Sequence, residues 1–281
     1  MKEMLKKVTK VASSPIRGKA GFVQKIYETV YLASLYGMNF GGGSNLSDSG
    51  EKFVLQYVKK NWTKNLERTP LILFDVGANL GAYTKLALAV FSSLSIEIFS
   101  FEPSPFTFEK LKEKIGDRNN VKIFNIGLGC YNGEMSLFQD ERGSGIASLY
   151  NRRLEHFNIQ LMEKEKVKIE TLDDFCGKYG LEHIDFLKLD VEGHELKVLQ
   201  GGRRMLDANA IDFIQFEFGG CNIDSRTYFQ DFFYFLRDRY NLYRVLRNGL
   251  YPIRQYKERY EIFLTSNYLA ERKELGRVAI Q

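Results

Sequence analysis

The chain of 281 residues is 44% apolar and 27% charged, which is the composition of an ordinary globular protein with one substantial core. Its net charge of +5 is carried by residues 1–20, where six basic residues face one acid, so the neutral remainder argues against a nucleic-acid partner. No run approaches the roughly 20 apolar residues of a membrane span, and three cysteines without metal-like spacing predict a reduced, cytoplasmic protein.

Residues 1–46 are predicted to form a basic, helical N-terminal extension. Within residues 1–20, lysines lie opposite apolar residues at helical spacing. This pattern fits a helix in peripheral contact with the inner face of an anionic membrane, and it fits a solvated terminus as well. An aromatic helical pattern over 22–40 follows and ends in a glycine-rich joint at 41–45.

A tight turn follows the first predicted strand, 71–76, and leads into a helix. The turn passes through Gly77 and Gly81, an arrangement that brings backbone close to a nucleotide-like ligand. The second predicted strand, 96–101, ends in Glu102, which is placed to accept hydrogen bonds from both hydroxyls of a ribose. The ligand is therefore expected to contain a nucleoside, with candidate contacts at Asp75, Gly77, Asn79, Gly81, Tyr83, Thr84 and Glu102.

Strands and helices alternate from residue 71 onward, which predicts an α/β, doubly wound and mostly parallel sheet. Its seven predicted strands cover 71–76, 96–101, 121–126, 184–190, 211–218, 242–247 and 260–265. The intervening helices are predicted over 80–92, 104–115, 171–179, 194–206 and 226–240, after an earlier helix with a capping box formed by Asp48 and Glu51. The domain is expected to cover 47–270, with a C-terminal tail over 271–281.

A charged and aromatic insert, 139–166, interrupts the alternation between the third and fourth strands. Connections of this length in compact domains are usually functional or disordered, and we predict that this one is a substrate lid. Its polar side chains could hydrogen-bond a polyhydroxylated acceptor, or the insert could be a solvated loop. The candidate acceptor contacts are Ser144, Ser148, Tyr150 and Arg152.

Four motifs together resemble the FkbM family of methyltransferases. They are Asp75-Val-Gly-Ala-Asn-Leu-Gly81, Phe101-Glu-Pro103, the segment Ile184–Gly201 with its string Leu-Asp-Val-Glu-Gly-His-Glu, and Ile214-Gln-Phe-Glu217. The resemblance covers about residues 50–265. It implies a class I methyltransferase (Rossmann-like) fold ending in an antiparallel strand, with S-adenosyl-L-methionine as the cofactor. It further implies O-methylation of a sugar, glycan or metabolite hydroxyl.

The resemblance also implies adenine contacts just after the third strand, where Asn125 and Gly127 stand here. Many relatives have small residues such as alanine at this turn, so the match at these two positions is incomplete. The acceptor is expected to be a small molecule or a glycan, and its identity is left open, as is the oligomeric state.

An acidic cluster follows the fourth and fifth strands, at the edge where open α/β sheets bind their ligands. Asp190, His194 and Glu217 are the candidate catalytic residues, and His194 or Asp190 would act as the general base for the acceptor hydroxyl. The same three residues could instead ligate a divalent cation that binds two substrate oxygens. A purely structural role is the third interpretation, with His194 capping its helix and Glu192 paired with a lysine.

Two other function classes stay open from the residues alone. A nicotinamide-dependent oxidoreductase could use a similar sheet, but Asn79 and Ala82 occupy positions where its dinucleotide loop needs glycine. A non-catalytic nucleoside-binding module held at a membrane is the other alternative, and an intact acidic cluster argues against it.

Overall fold

The computed structural model describes residues 17–42, 48–62 and 69–277. Most of the predicted basic helix, part of the glycine-rich joint and the end of the predicted tail lie outside the described residues. No helix in the described ranges is both long and apolar enough to cross a membrane.

An eight-stranded sheet forms the centre of the molecule. In chain order its strands are β1 (Leu71–Val76), β2 (Ile96–Phe101), β3 (Val121–Phe124), β7 (Ile184–Leu189), β8 (Ile211–Phe218), β9 (Tyr240–Leu246), β10 (Gly249–Ile253) and β11 (Ser266–Arg272). Across the sheet the order is β10-β9-β11-β8-β7-β1-β2-β3. Strands β3, β2, β1, β7 and β8 are parallel, and β11 runs antiparallel between β8 and β9. The expected mostly parallel sheet with a C-terminal antiparallel strand is confirmed.

The last strands of the chain differ from the prediction in two ways. An eighth strand, β10, pairs with β9 in a segment for which no strand was predicted. The last strand is Ser266–Arg272 and not 260–265, so the predicted tail begins inside the sheet. The reason lies in Glu261, whose carboxylate accepts hydrogen bonds from the backbone N–H groups of Phe229 and Gln230 at 2.8 and 2.9 Å. The Glu261 carboxylate therefore caps the first turn of the helix Phe229–Leu236, and the segment that contains Glu261 packs beside the sheet.

A second sheet of three strands lies between β3 and β7 in the sequence. It contains β4 (Gly127–Gly129), β5 (Gly133–Gln139) and β6 (Glu163–Thr171), with β6 in the middle. The predicted third strand, 121–126, thus ends at Phe124, and its last two residues form a bend that leads into β4. The predicted insert, 139–166, overlaps this sheet at both ends: Gln139 is the last residue of β5, and the residues from Glu163 onward belong to β6, so the irregular part is confined to 140–162.

Helices cover both faces of the large sheet, which confirms the doubly wound arrangement. Those before β8 are Phe22–Gly37, Glu51–Trp62, Ala82–Val90, Pro105–Ile115, Leu172–Tyr179, Glu195–Gly201 and Arg203–Asp207; Cys221–Ser225, Phe229–Leu236 and Lys273–Arg277 follow it. One apolar cluster contains Phe74, Phe101 and Phe175. A second, on the opposite face, contains Leu73 and Val54 from the helix Glu51–Trp62. Alternation of Leu73 and Phe74 between the two clusters is the period-two pattern of a strand buried on both sides.

The helix Glu51–Trp62 begins differently from the predicted capping box. Ser49, rather than Asp48, accepts the backbone N–H of Glu51 at 3.3 Å and donates its hydroxyl to the Glu51 carboxylate at 3.0 Å. Asp48 pairs instead with Arg247 at 3.1 Å. Glu51 is thereby held in a buried position, where it faces the functional edge of the sheet.

Candidate active site

The carboxyl ends of β1, β2 and β7 open into one cavity. Its lining combines the turn after β1, Glu102, the first residues after β7 and part of the insert. The residues that contribute to it include Gly77, Asn79, Glu102, Gly127, Leu128, Ser144, Leu149, Asp190 and Glu192. A ligand in this cavity would be held at the sheet edge where open α/β folds bind.

The turn after β1 needs the residue types that the sequence shows. Gly77 has a positive φ of 84°, and a Cβ atom there would overlap the backbone carbonyl of Asp190. Asn79 also lies in the left-handed region, at φ 46°, which asparagine tolerates better than most residues. The turn therefore packs directly on the loop that follows β7, and this contact brings the two motifs together.

Glu102 is the buried acid of the cavity. Its two carboxylate oxygens accept backbone N–H groups from Asn79 and Ser104, each at 3.0 Å. Burial raises the pKa of Glu102 to about 7, although the two backbone hydrogen bonds oppose that shift. The side-chain amide of Asn125 donates to the carbonyls of Glu102 and Pro103, both at 2.9 Å, so Asn125 fixes the end of β2.

Four further cofactor candidates do not line the cavity and instead lie beneath the turn after β1, inside the domain. Asp75 is fully buried and accepts a hydrogen bond from the Thr84 hydroxyl at 2.6 Å. Gly81 packs on the next helix, since a side chain there would meet Leu111. The Tyr83 ring lies 4.5 Å from the Lys188 ammonium. Of the predicted nucleoside contacts, Gly77, Asn79, Glu102 and Gly127 line the cavity.

Lys188 is a buried functional candidate that the sequence reasoning missed. Its ammonium donates to Asp190 at 2.8 Å and lies 3.5 Å from the carboxylate of Glu51. Burial alone would lower the pKa of Lys188, but the carboxylates of Asp190, Glu51 and Asp75 outweigh it and raise that pKa. A single lysine in the fully buried strand Ile184–Leu189, whose one other charged residue is Asp185, was the available signal, because a buried cation requires an acidic partner.

Three carboxylates lie close together at the carboxyl ends of β7 and β8: Asp190, Glu192 and Glu217. Burial, followed by the charges of Asp190 and Glu192, raises the pKa of Glu217 well above its usual value. Glu192 is paired with Arg152 at 2.6 Å, and burial with the charge of Asp190 raises its pKa to about 8. Glu192 also has a positive φ of 50°, a strained conformation for a non-glycine residue that is typical of functional sites. The cluster thus holds more acid than its neighbouring cations neutralise, which favours protonated Glu217.

A cation could be held by a different set of residues from the one predicted. Ligand atoms of Glu192, Glu217 and Cys221 all lie within 4.8 Å of one another, and this group includes neither Asp190 nor His194. Cys221 is a buried free thiol whose pKa is raised by burial and then by Glu195, Glu192 and Glu217. A thiol in that state is a poor ligand unless a cation supplies the compensating charge.

His194 does not join Asp190 and Glu217. It is buried, its Nδ1 lies 2.9 Å from the Tyr150 hydroxyl, and its Nε2 faces Gly129, where a Cβ atom would come within 2.9 Å. Burial, with a smaller contribution from Lys197, lowers the pKa of His194 to about 4. Its side chain forms no helix cap either. A neutral imidazole enclosed in this way is poorly placed to accept a proton from a ligand in the cavity.

The insert is fastened to the loop after β7. Ser148 donates its hydroxyl to the Glu192 carbonyl at 2.7 Å, Arg152 pairs with the Glu192 carboxylate, and Tyr150 bonds His194. Three of the four predicted acceptor contacts therefore hold the insert in place. The fourth, Ser144, lines the cavity. The insert covers one side of the cavity, as a lid would.

Known proteins resemble this chain over its central part. Residues 75–245 match the family model described as the methyltransferase FkbM domain. The 2-O-methyltransferase NoeI of Sinorhizobium fredii is 27% identical over 50% of this chain and 61% of its own length. The hexuronic acid methyltransferase AglP of Haloferax volcanii is 30% identical over 46% of this chain and 49% of its own length. The chain thus spans about half to three fifths of these relatives.

Among solved structures, an FkbM methyltransferase from Methylobacillus flagellatus aligns with 71% of this chain and 43% of its own, at 17% identity and a TM-score of 0.43.

Proposed function

Because the chain belongs to the FkbM methyltransferase family, we propose that it transfers a methyl group from S-adenosyl-L-methionine to a hydroxyl of a sugar or glycan. The observation that carries the proposal is the shared cavity, in which Glu102 and the turn after β1 face the acids that follow β7. One half of the cavity suits a nucleoside and the other suits a polyhydroxylated acceptor. Two relatives support this acceptor class: AglP is a hexuronic acid methyltransferase, and NoeI is a 2-O-methyltransferase, which places the methyl group on an oxygen.

The chain's own residues fit the cofactor. Each Glu102 oxygen accepts one backbone N–H and keeps a second lone pair, so two ribose hydroxyls can donate to it. Leu128 and the backbone of Gly127 offer an apolar, close-approach surface for a flat base. When bound, S-adenosylmethionine supplies an electrophilic methyl group on a positively charged sulfur.

Asp190 is the residue we assign to accept the proton of the acceptor hydroxyl. It lines the cavity, its side chain is 36% exposed, and Lys188 holds Oδ2 while Oδ1 is not engaged by that bond. Glu217 and Glu192 lie beside it; Glu192 also lines the cavity, and Glu217, which is buried, can donate a hydrogen bond to a neighbouring carboxylate when it is protonated. This arrangement would orient the acceptor and remove its proton, which are the two requirements for displacement at an activated methyl group.

A binding and turnover experiment tests the proposal. Titration calorimetry should show binding of S-adenosylhomocysteine at micromolar concentrations, and labelled methyl groups should pass to a panel of sugars that includes uronic acids. Absence of cofactor binding would remove the proposal as a whole. Cofactor binding without transfer to any sugar would support the non-catalytic module instead. Family membership leaves the nicotinamide oxidoreductase without support.

A divalent cation is a second version of the mechanism, with Glu192, Glu217 and Cys221 as its ligands. In that version EDTA abolishes turnover and magnesium or manganese restores it, whereas turnover that resists EDTA supports Asp190 alone. The cytoplasmic location and the lack of a nucleic-acid partner stay predictions.

A further inference from the structure

The helix Phe22–Gly37 is an apolar surface element with little attachment to the domain. Of its 16 residues only Leu35 is buried. Large side chains that would normally lie in a core are more than half exposed, at 76% for Phe22, 56% for Val30 and 57% for Tyr31. Exposed apolar surface of this extent in one element marks an interaction site.

Most of the apolar side chains of this helix share one face. Phe22, Ile26 and Val30 recur at four-residue spacing, as do Val23, Tyr27 and Tyr31 one position later. Two adjacent rows of this kind form a broad stripe along the helix. The other side carries the polar Gln24 and Glu28 together with the exposed Leu32 and Tyr36. The helix therefore has one broad, exposed apolar stripe and a mixed opposite side.

The end of the helix is fixed to the edge of the sheet that carries the cavity. The backbone N–H of Gly41 donates to the carbonyl of Thr265 at 2.9 Å, and the buried Phe40 ring lies 4.4 Å from the Arg244 guanidinium. Thr265 in turn packs on Gly219, two residues beyond Glu217. The apolar helix thus leaves the domain at the carboxyl end of β8.

The charge that precedes the helix identifies its partner. Six basic residues and one acid stand within residues 1–20, and the described part of that segment, Arg17 and Lys19, is exposed. A basic segment followed by a helix with a broad apolar stripe, three tyrosines and one phenylalanine is the pattern of interfacial membrane helices. Two copies of this chain would instead bring their like charges together.

We propose that the helix Phe22–Gly37 lies in the plane of an anionic lipid surface, with its apolar stripe among the acyl chains, and that the net positive charge of the preceding sequence favours anionic headgroups. At 16 residues the helix is too short to cross the bilayer. Docked in this way, it holds the carboxyl edge of the sheet beside the lipid surface. The proposal does not rest on methyl transfer, because it uses no residue of the cavity.

Vesicle flotation of the full chain tests the proposal. The protein should float with vesicles of phosphatidylcholine and phosphatidylglycerol and stay behind with phosphatidylcholine alone. Val30→Glu should lower the bound fraction at least about tenfold. Gln24→Glu adds the same charge on the opposite side and should stay within about twofold of the wild type. Phe22→Ser tests the stripe without a change of charge and should also weaken binding.

The proposal is overturned if the wild-type chain does not float with anionic vesicles. It is also overturned if the variants Val30→Glu and Phe22→Ser float as well as Gln24→Glu. A third contrary result is a dimer, detected by light scattering, that Val30→Glu dissolves while vesicle binding stays unchanged, because the stripe would then belong to a second copy. Equal melting temperatures for the variants and the wild type show that any loss concerns the surface.

Discussion

Replacing Lys188 by methionine removes a buried ammonium and leaves its acidic partners in place. The cation lies 2.8 Å from Asp190 and 3.5 Å from Glu51, and its side chain is 4% exposed. Methionine keeps most of the length and apolar contacts of the lysine stem. The substitution therefore tests the charge and largely spares the packing.

The two partners lose different amounts of stabilisation. Asp190 is 36% exposed at its side chain and stays partly hydrated, whereas Glu51 is 5% exposed and depends on the ammonium. Removing one partner of a buried ion pair costs about 3–5 kcal/mol. Glu51 and the fully buried Asp75, whose charge Lys188 also offsets, both lose the ammonium, so we expect a loss of about 3 kcal/mol or more of unfolding free energy.

Urea denaturation measures this loss, and its pH dependence identifies the cause. Burial already raises the pKa of Glu51, and Lys188 and the Ser49 hydroxyl oppose that shift. Without Lys188 that pKa rises further. A carboxyl whose pKa is higher in the folded state than in the unfolded state binds a proton more tightly in the folded protein. Its contribution to the free energy of unfolding is therefore most favourable at low pH, where it is protonated, and is lost as the pH rises. The deficit of Lys188→Met should therefore shrink between about pH 8 and about pH 5.

The double variant Lys188→Met/Glu51→Gln serves as the control. The glutamine side chain keeps one oxygen, which can accept from Gln215, and its amide can donate to the Ser49 hydroxyl oxygen, so the contacts are kept without a charge to strand. We expect the double variant to be more stable than Lys188→Met. A deficit below about 1 kcal/mol, or one that is independent of pH and not relieved by Glu51→Gln, would refute the reasoning.

Three further predictions concern the cavity. Glu102→Gln should weaken S-adenosylhomocysteine binding about tenfold in calorimetry, and wild-type affinity should fall as pH drops through about 7, the pKa of Glu102, while the variant stays flat. Asp190→Asn should lower kcat about a hundredfold with cofactor affinity kept; a kcat within a few fold of wild type would exclude it as the base. His194→Ala and Tyr150→Phe both remove the 2.9 Å contact, so we expect similarly small losses of kcat from each, and a loss of about a hundredfold in His194→Ala alone would restore histidine as the base.

The fold could be predicted where a strand is buried throughout. The bounds predicted for β1, β2 and β8 agree with the structure, because each is a mainly apolar segment whose ends are marked by polar or turn residues. The last strand could not be placed, since Tyr260 and Phe263 have the apolar character of a strand but pack on the core from outside the sheet. An apolar segment indicates that its side chains are buried, but it does not say whether they are buried within the sheet or against it from outside.

The site was predictable where it is local in the chain. Gly77, Asn79 and Glu102 follow from one strand, one turn and the next strand, so spacing alone brings them together. The bonds of Arg152 to Glu192 and of Tyr150 to His194 join residues 40 and 44 positions apart through an irregular insert. No periodicity links such partners, and for this reason the sequence assigned the insert's polar side chains to the acceptor and His194 to the acids.

Glu51 shows that the functional unit is larger than the region that the family model matches. That region covers residues 75–245, and Glu51 lies before it, yet its carboxylate faces the ammonium that orients Asp190. Gln215 donates to Glu51 at 3.3 Å and to Asn267 at 3.1 Å, so the same network reaches β11, beyond the matched region. Residues on both sides of the family region thus belong to the network around the ammonium that pairs with the acid assigned to catalysis. A chain cut to residues 75–245 would keep Asp190 and Lys188 but lose that network, because neither Glu51 nor Asn267 would be present.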